Sequence, residues 1–391
     1  MNRALDRRRF FALSAAASTA AIGSARGLFS ATPASVPTPA APARAASWPG
    51  YANAVVIDAL GGPGSGARES EDAPLSAVEV ADVRSSGMTA VNVTVSAVGV
   101  LAGAFDETVK QIGYWERELE AHPDAFTRIH TAADLRAAKS SGRLGLVFGF
   151  QDTLPLGDEI GKLDTFQRLG VRIIQLTYNR RNLAGDGCLE PGNAGLSRFG
   201  RDVLARMNEL QILADFSHCG HRTTSEGIVS SKVPVAITHS GCAALADLPR
   251  NKTDEELRQL AERGGVFGVY LMPFLRTKGQ PMAEDVIRHV EHAIDVCGED
   301  HVGIGTDGTI SALTLTPEYV KRFREDIARR RKLGISAPGE SEDVYLYVPD
   351  LNTPRRFETL AVELLRRGHP ETRVAKIVGG NFSRLFAEVW G

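Results

Sequence analysis

The sequence predicts an α/β chain closed into a (β/α)8 barrel, and three observations predict it. Short runs rich in β-branched and aromatic residues recur eight times between residues 52 and 307. Most of them are continuously apolar rather than alternating, as parallel strands covered by helices on both faces should be. Segments with helical periodicity follow them, and eight such units in about 340 residues suit a barrel. A doubly wound sheet would use the same units. No GxGxxG follows the first strand, however, so a dinucleotide-binding domain has no support.

The elements follow in order. ANAVVID (52–58) and MTAVNVTVS (88–96) are the first two predicted strands, and RLGLVFGF (143–150) and VRIIQLTY (171–178) the next two. QILADFS (211–217), VPVAITH (233–239), GGVFGVYL (264–271) and HVGIGTD (301–307) complete the eight. Among the helices, LSRFGRDVLARMNEL (196–210), TDEELRQLAERG (253–264) and MAEDVIRHVEHAIDVCG (282–298) carry the clearest 3.6-residue spacing. Thr253 stands three residues before Glu256, a capping-box pattern, and Gly264 closes that segment. Residues 313–352 interrupt the alternation with a basic helix-like piece, EYVKRFREDIARRRKLG, and a polar loop. They read as an excursion after the eighth strand, over the barrel mouth, with the charge run forming a solvated helix face. The chain from 47 to 391 is thus expected to be one barrel domain.

Residues 1–46 read differently. DRRRFFALSAAASTAAIGSA pairs Arg7 with Arg8, continues through Phe10 and Phe11, and ends in a weakly apolar Ala-rich stretch. This resembles a twin-arginine export signal, with APARA at 41–45 as a cleavage region, followed by an Ala/Pro/Ser linker. An ordinary helix with a basic start is the alternative. The export reading places the mature protein in the periplasm or otherwise outside the cytoplasm, folded and metal-loaded before export.

Composition narrows the function classes. Hydrophobic residues make up 43% and charged residues 24%, and the formal net charge is −2, so nothing points to a nucleic-acid partner or an anionic membrane surface. No internal apolar run is long enough to span a membrane. The four cysteines are too few and too scattered for a disulfide framework.

Candidate chemistry gathers where barrels place it, at the C-terminal ends of strands. His218, His239 and Asp307 end the fifth, sixth and eighth predicted strands. One histidine at a strand end is usually a hydrogen-bonded core residue; three polar groups on one rim point to a site, and a pair of imidazoles suits a metal. Cys219 and Cys242 adjoin the two histidines, but a sequence neighbour of a ligand points away from it, and both are expected to do so. His221 reads as a residue of the surrounding loop, Cys188 and Cys297 as packing residues, and Asp186 and Glu190 as loop polar groups.

Several stretches together resemble the membrane (renal-type) dipeptidases, metallopeptidases among the amidohydrolase-like barrels. The resemblance runs from about residue 140 to the C-terminus, and more weakly back to residue 53. GLSRFGRDVLARMNELQILADFSH is similar to the family's approach to its first metal-binding histidine. PVAITHSGCAALADLPRN is similar to the segment holding the second histidine and a substrate-binding arginine. HVGIGTD and KIVGGNFSRLF resemble its eighth strand and terminal helix. The family binds two zinc ions bridged by a glutamate. The resemblance therefore implies His218 and His239 as ligands of one zinc, Asp307 as the aspartate that handles protons, and Arg250 as the anchor of a substrate carboxylate. It also implies a small peptide or amide substrate and, since family members are commonly dimers, a homodimer.

The departures from the family are specific. Leu60 and Gly62, in VVIDALGGPG, occupy the positions of the family's His-x-Asp pair. Gln151, in GFQDT, occupies the place of the bridging glutamate, and a neutral amide is a poor ligand that cannot offset two dipositive ions. Tyr178 replaces the histidine that faces the developing oxyanion, a role a phenol can keep by donating a hydrogen bond. Asp152 follows Gln151, but a strand-end neighbour points the other way. The expectation is a dipeptidase-like metallohydrolase with a reduced site: His218, His239, weakly Gln151, one zinc ion or none, Asp307 and Tyr178 as catalytic groups, and Arg250 for substrate. The alternative is a homologue that binds or matures a peptide-like molecule without hydrolysing it.

Overall fold

A computed structural model describes residues 47–66, 73–99 and 102–391. The twin-arginine reading and its linker fall on residues 1–46, outside the described residues. Eight parallel strands form the barrel: β1 (Ile57–Asp58), β2 (Ala90–Thr94), β3 (Leu144–Phe150), β4 (Val171–Gln175), β5 (Leu213–Asp215), β6 (Ala236–Ser240), β7 (Val266–Val269) and β8 (Val302–Ile304), and a ninth short strand of the same sheet, Phe126–Arg128, pairs with the start of β3 outside that order. The eight pair in chain order, each with the next. The two ends of the sheet then meet. The Ala59 N–H donates to the Ile304 carbonyl at 3.0 Å and the Asp307 N–H to the Leu60 carbonyl at 2.7 Å. Just beyond, Gly61–Gly62 pairs in parallel with Gly308–Thr309. This is the expected (β/α)8 barrel.

The seven residues of β3 are all buried, and so are the five of β6, which is why these runs read as continuous apolar stretches. Most strands are shorter than the runs that announced them: β1 and β6 begin late, β4 and β8 stop early, and at the β1–β8 seam side chains serve as hydrogen-bond partners. The Thr306 N–H donates to the Asp58 carboxylate at 2.7 Å and the Thr306 hydroxyl to its other oxygen at 2.6 Å, stitching β1 to β8 beyond the ladder. Helices Arg198–Glu209, Asp254–Glu262 and Ala283–Cys297 fall within the periodic segments. Thr253 and Glu256 form the capping box their spacing predicts, satisfying two helix-end N–H groups.

The excursion after β8 contains helix Pro317–Leu333, capped at its start by the Thr316 hydroxyl and ended by Gly334 in the left-handed conformation (φ +64). Its two ends are pinched together: the Leu313 N–H donates to the Asn352 side chain at 2.7 Å, and the Asn352 amide returns a bond to the Leu313 carbonyl at 2.8 Å. Most of the helix's basic residues are solvated, as expected, but Arg330 is not. It is turned inward and paired through both arms of its fork with a buried Glu340, at 2.7 and 2.9 Å.

Candidate active site

His218 and His239 come from the ends of β5 and β6, and their ring centroids lie 5.0 Å apart. Both rings are buried, and each has its Nδ1 occupied. His218 Nδ1 faces the Asn179 side-chain oxygen at 2.6 Å; His239 Nδ1 faces the Thr238 hydroxyl at 2.8 Å. The surroundings decide which atom holds the proton. The Thr238 hydroxyl donates to the buried Asp215 carboxylate at 2.6 Å, so it accepts from His239. The Asn179 amide nitrogen donates to the Ile335 carbonyl at 3.2 Å, so its oxygen faces His218 and accepts. Both rings therefore carry hydrogen on Nδ1 and present a lone pair at Nε2. Among the described residues neither Nε2 has a hydrogen-bond partner, although both are buried. Burial first, and then the Arg250 charge, hold both imidazoles well below their ordinary value, so both are neutral near pH 7.

That pattern suits a zinc ion: neutral imidazoles, oriented through Nδ1 by a carboxylate relay or an amide, with Nε2 left over. The residues do not suit a second ion. Leu60 is buried and apolar, Gly62 has no side chain, and the Gln151 amide nitrogen donates to the Thr94 hydroxyl at 2.8 Å. Asp152 turns away into the loops, where it accepts from Asn182 at 2.8 Å and from the N–H groups of Gly99 and Leu154. Cys219 accepts from the Thr177 hydroxyl and Cys242 packs on His289, so neither thiol joins the pair.

Around the imidazoles stand the other candidates. Tyr178 stacks on His218 with centroids 4.2 Å apart and planes at 24°. Arg250 is buried, with one Nη donating to the Ser217 carbonyl at 2.5 Å and the other without a partner. Tyr270 and Phe274 lie 5.7 and 5.9 Å below its guanidinium. A buried cation with one free donor arm is built to receive an acceptor. Asp307 ends β8 in the left-handed region (φ +55), a conformation Asp tolerates better than most residues, and it keeps partial solvent access. Burial raises its carboxyl to about 6, against the pull of Arg250 and Arg330.

Several site residues were not singled out from the sequence. The Thr238–Asp215 relay had a signal, since a polar residue inside an apolar strand run must find a partner, whereas Asn179, in the loop just past the fourth run, had none. Cys188, read as packing, lies at the site: its N–H donates to the His218 carbonyl at 2.8 Å and its thiol to Asn179 at 3.4 Å. Arg330, whose charge acts on the Tyr178 hydroxyl, had no signal, being one of several arginines in a basic run.

Comparison with known proteins agrees with the geometry. The chain is 28% identical over 284 residues to the dipeptidase verJ of Clonostachys rogersoniana, a match covering 72% of this chain and 65% of that one. It is 28% identical over 287 residues to the dipeptidase tcpJ of Claviceps purpurea, covering 72% and 60%. The matched segment thus spans less than two thirds of either relative. Among solved structures, an amidohydrolase from Pseudomonas aeruginosa is 34% identical, with a TM-score of 0.74 over 87% of this chain and 98% of that one. The family model described as membrane dipeptidase (peptidase family M19) matches residues 63–328, and the chain belongs to that family.

Proposed function

We propose that the chain is an exported metallohydrolase of dipeptides or related small amides, working with a single zinc ion held by His218 and His239. The observation that carries this reading is the pair of buried, neutral imidazoles whose Nδ1 atoms are fixed and whose Nε2 atoms lack partners. A zinc ion there would supply polarisation of a carbonyl and acidification of water. The chain's own groups would do the rest. Arg250 uses its free Nη to anchor the substrate carboxylate and so fixes which amide faces the rim. Asp307, ionised above about pH 6, takes the proton of the attacking water and returns it to the leaving amine. The Tyr178 hydroxyl, which lies within the field of the Arg330 charge, is the donor that would meet the developing oxyanion. Gln151 contributes at most an amide oxygen.

A second reading, binding or maturation of a peptide-like molecule without hydrolysis, is favoured by Leu60, Gly62 and Gln151. Among the described residues no group of three His, Cys, Asp or Glu side chains comes together as a metal site. Metal analysis of the purified mature protein, beside a His218→Ala/His239→Ala variant and with a dipeptide panel, separates the two. About one zinc per chain, lost in the variant together with turnover, supports the hydrolase. Stoichiometric zinc without cleavage of any dipeptide supports the second reading. Absence of zinc after loading removes the metal from both.

A further inference from the structure

We propose that the excursion is a working part of the site, acting through Asn179 as the positioning residue that fixes the His218 tautomer. The inference rests on the reading of His218 as a ligand, and its geometry is independent of any ion. Helix Pro317–Leu333 ends at Gly334, whose left-handed turn brings two successive carbonyls onto the loop after β4. The Gly334 carbonyl accepts from Arg180 Nε at 2.9 Å, and the Ile335 carbonyl from Asn179 Nδ2 at 3.2 Å. The same turn is tied by the Ile335 N–H to the Arg330 carbonyl at 3.0 Å, and by the Arg330–Glu340 pair, which Ser336 joins at 2.9 Å.

An amide has two ends of similar shape, and something must choose between them. The Asn179 oxygen faces two groups that can donate, His218 Nδ1 at 2.6 Å and the Cys188 thiol at 3.4 Å. Either could adapt to a flipped amide by moving a hydrogen. The Ile335 carbonyl cannot, because it only accepts. That one acceptor, supplied by the excursion, makes Nδ2 face outward and Oδ1 face His218, and so leaves Nε2 bare. His239 depends on no such contact, since Thr238 and Asp215 belong to the barrel. The two histidines should therefore respond differently to loss of the excursion.

The excursion's pinched ends make the experiment feasible, since Leu313 and Asn352 already touch. A variant with residues 314–351 replaced by a short Gly/Ser linker, and a full-length Asn179→Leu variant, are compared with wild type after chelation. Long-range 1H–15N correlations, assigned with His218→Ala and His239→Ala, report each tautomer; chelator competition reports zinc affinity. The expected result is His218 wholly Nδ1–H in wild type and mixed in both variants, His239 unchanged throughout, and zinc bound about 10- to 100-fold more weakly. The full-length variant carries the test if the shortened chain fails to fold. An unchanged His218 tautomer in the variants overturns the proposal, as does equal loosening of both histidines. The expected tautomer change in a protein that binds no zinc supports the positioning role and refutes the metal reading.

Discussion

Replacing Thr238 by valine should be costly out of proportion to its size. Valine has the shape of threonine without the hydroxyl, and that hydroxyl donates to Asp215 at 2.6 Å while accepting from His239 Nδ1 at 2.8 Å. Both partners are fully buried, so Thr238→Val leaves a carboxylate oxygen and an imidazole N–H unpaired. At about 1–3 kcal/mol for each buried group left unsatisfied, the variant should lose about 2–6 kcal/mol. An unfolding entropy of roughly 2.1 cal/mol/K per residue over about 345 residues turns that into a drop in Tm of roughly 3–8 °C. Thr238→Ser, which keeps the hydroxyl, should lose only about 1 kcal/mol.

The loss should also depend on pH, and its sign follows from Asp215. Burial already holds this carboxyl above its ordinary value, so the folded chain binds its proton more tightly than the unfolded chain, and ionising it costs stability as pH rises. Removing a hydrogen bond to the carboxylate pushes it higher still. The extra deficit of Thr238→Val is present above that raised value and is relieved as pH falls through it, so it should grow as pH rises. Thermal unfolding of wild type and both variants across a pH series is the assay. A Thr238→Val deficit equal to that of Thr238→Ser, or one indifferent to pH, would refute the relay.

Three further outcomes are expected. Dipeptide turnover by wild type should rise with pH through about 6, as the Asp307 carboxylate forms, and Asp307→Asn should fall at least about 100-fold with no such step in its pH–rate profile. Tyr178→Phe and Arg330→Met should each lower kcat about 10-fold with little change in KM, and the double variant should be no slower than the slower single one; additive losses in that cycle would mean Arg330 does not act through Tyr178. Combining Leu60→His, Gly62→Asp and Gln151→Glu should raise bound zinc from about one to about two per chain. A Cβ at position 62 meets nothing nearer than Val93 at 3.9 Å, so the aspartate has room, and a stoichiometry unchanged in mass spectrometry would show that more than ligand identity was lost.

What could be read from the sequence follows from which interactions are local. The continuous apolar runs give away β3 and β6 because strands covered on both faces have no polar side. Thr253 and Glu256 announce a helix start because a capping box is settled within four residues. His218, His239 and Asp307 stand out because barrel chemistry collects at strand ends. Arg330 does not: its inward turn depends on Glu340, ten residues on in a polar loop, and on Tyr178, more than 150 residues earlier. Asn179 is a similar case, since its role comes from the direction of a backbone carbonyl at residue 335, and side-chain identity carries no trace of that.

The pinch between Leu313 and Asn352 has a consequence for how such a barrel can change. A segment that leaves and rejoins the chain at nearly one point asks nothing of the barrel's closure, which rests on Asp58, Thr306 and the neighbouring backbone. Its length and composition can drift with small effect on the entropy of the rest of the chain. The strand ends carry the candidate groups His218, His239 and Asp307, while the excursion above them reaches only the loop after β4, through Asn179 and Arg180. Residues 313 and 352 are thus a natural seam at which the excursion can be exchanged while the barrel is kept whole.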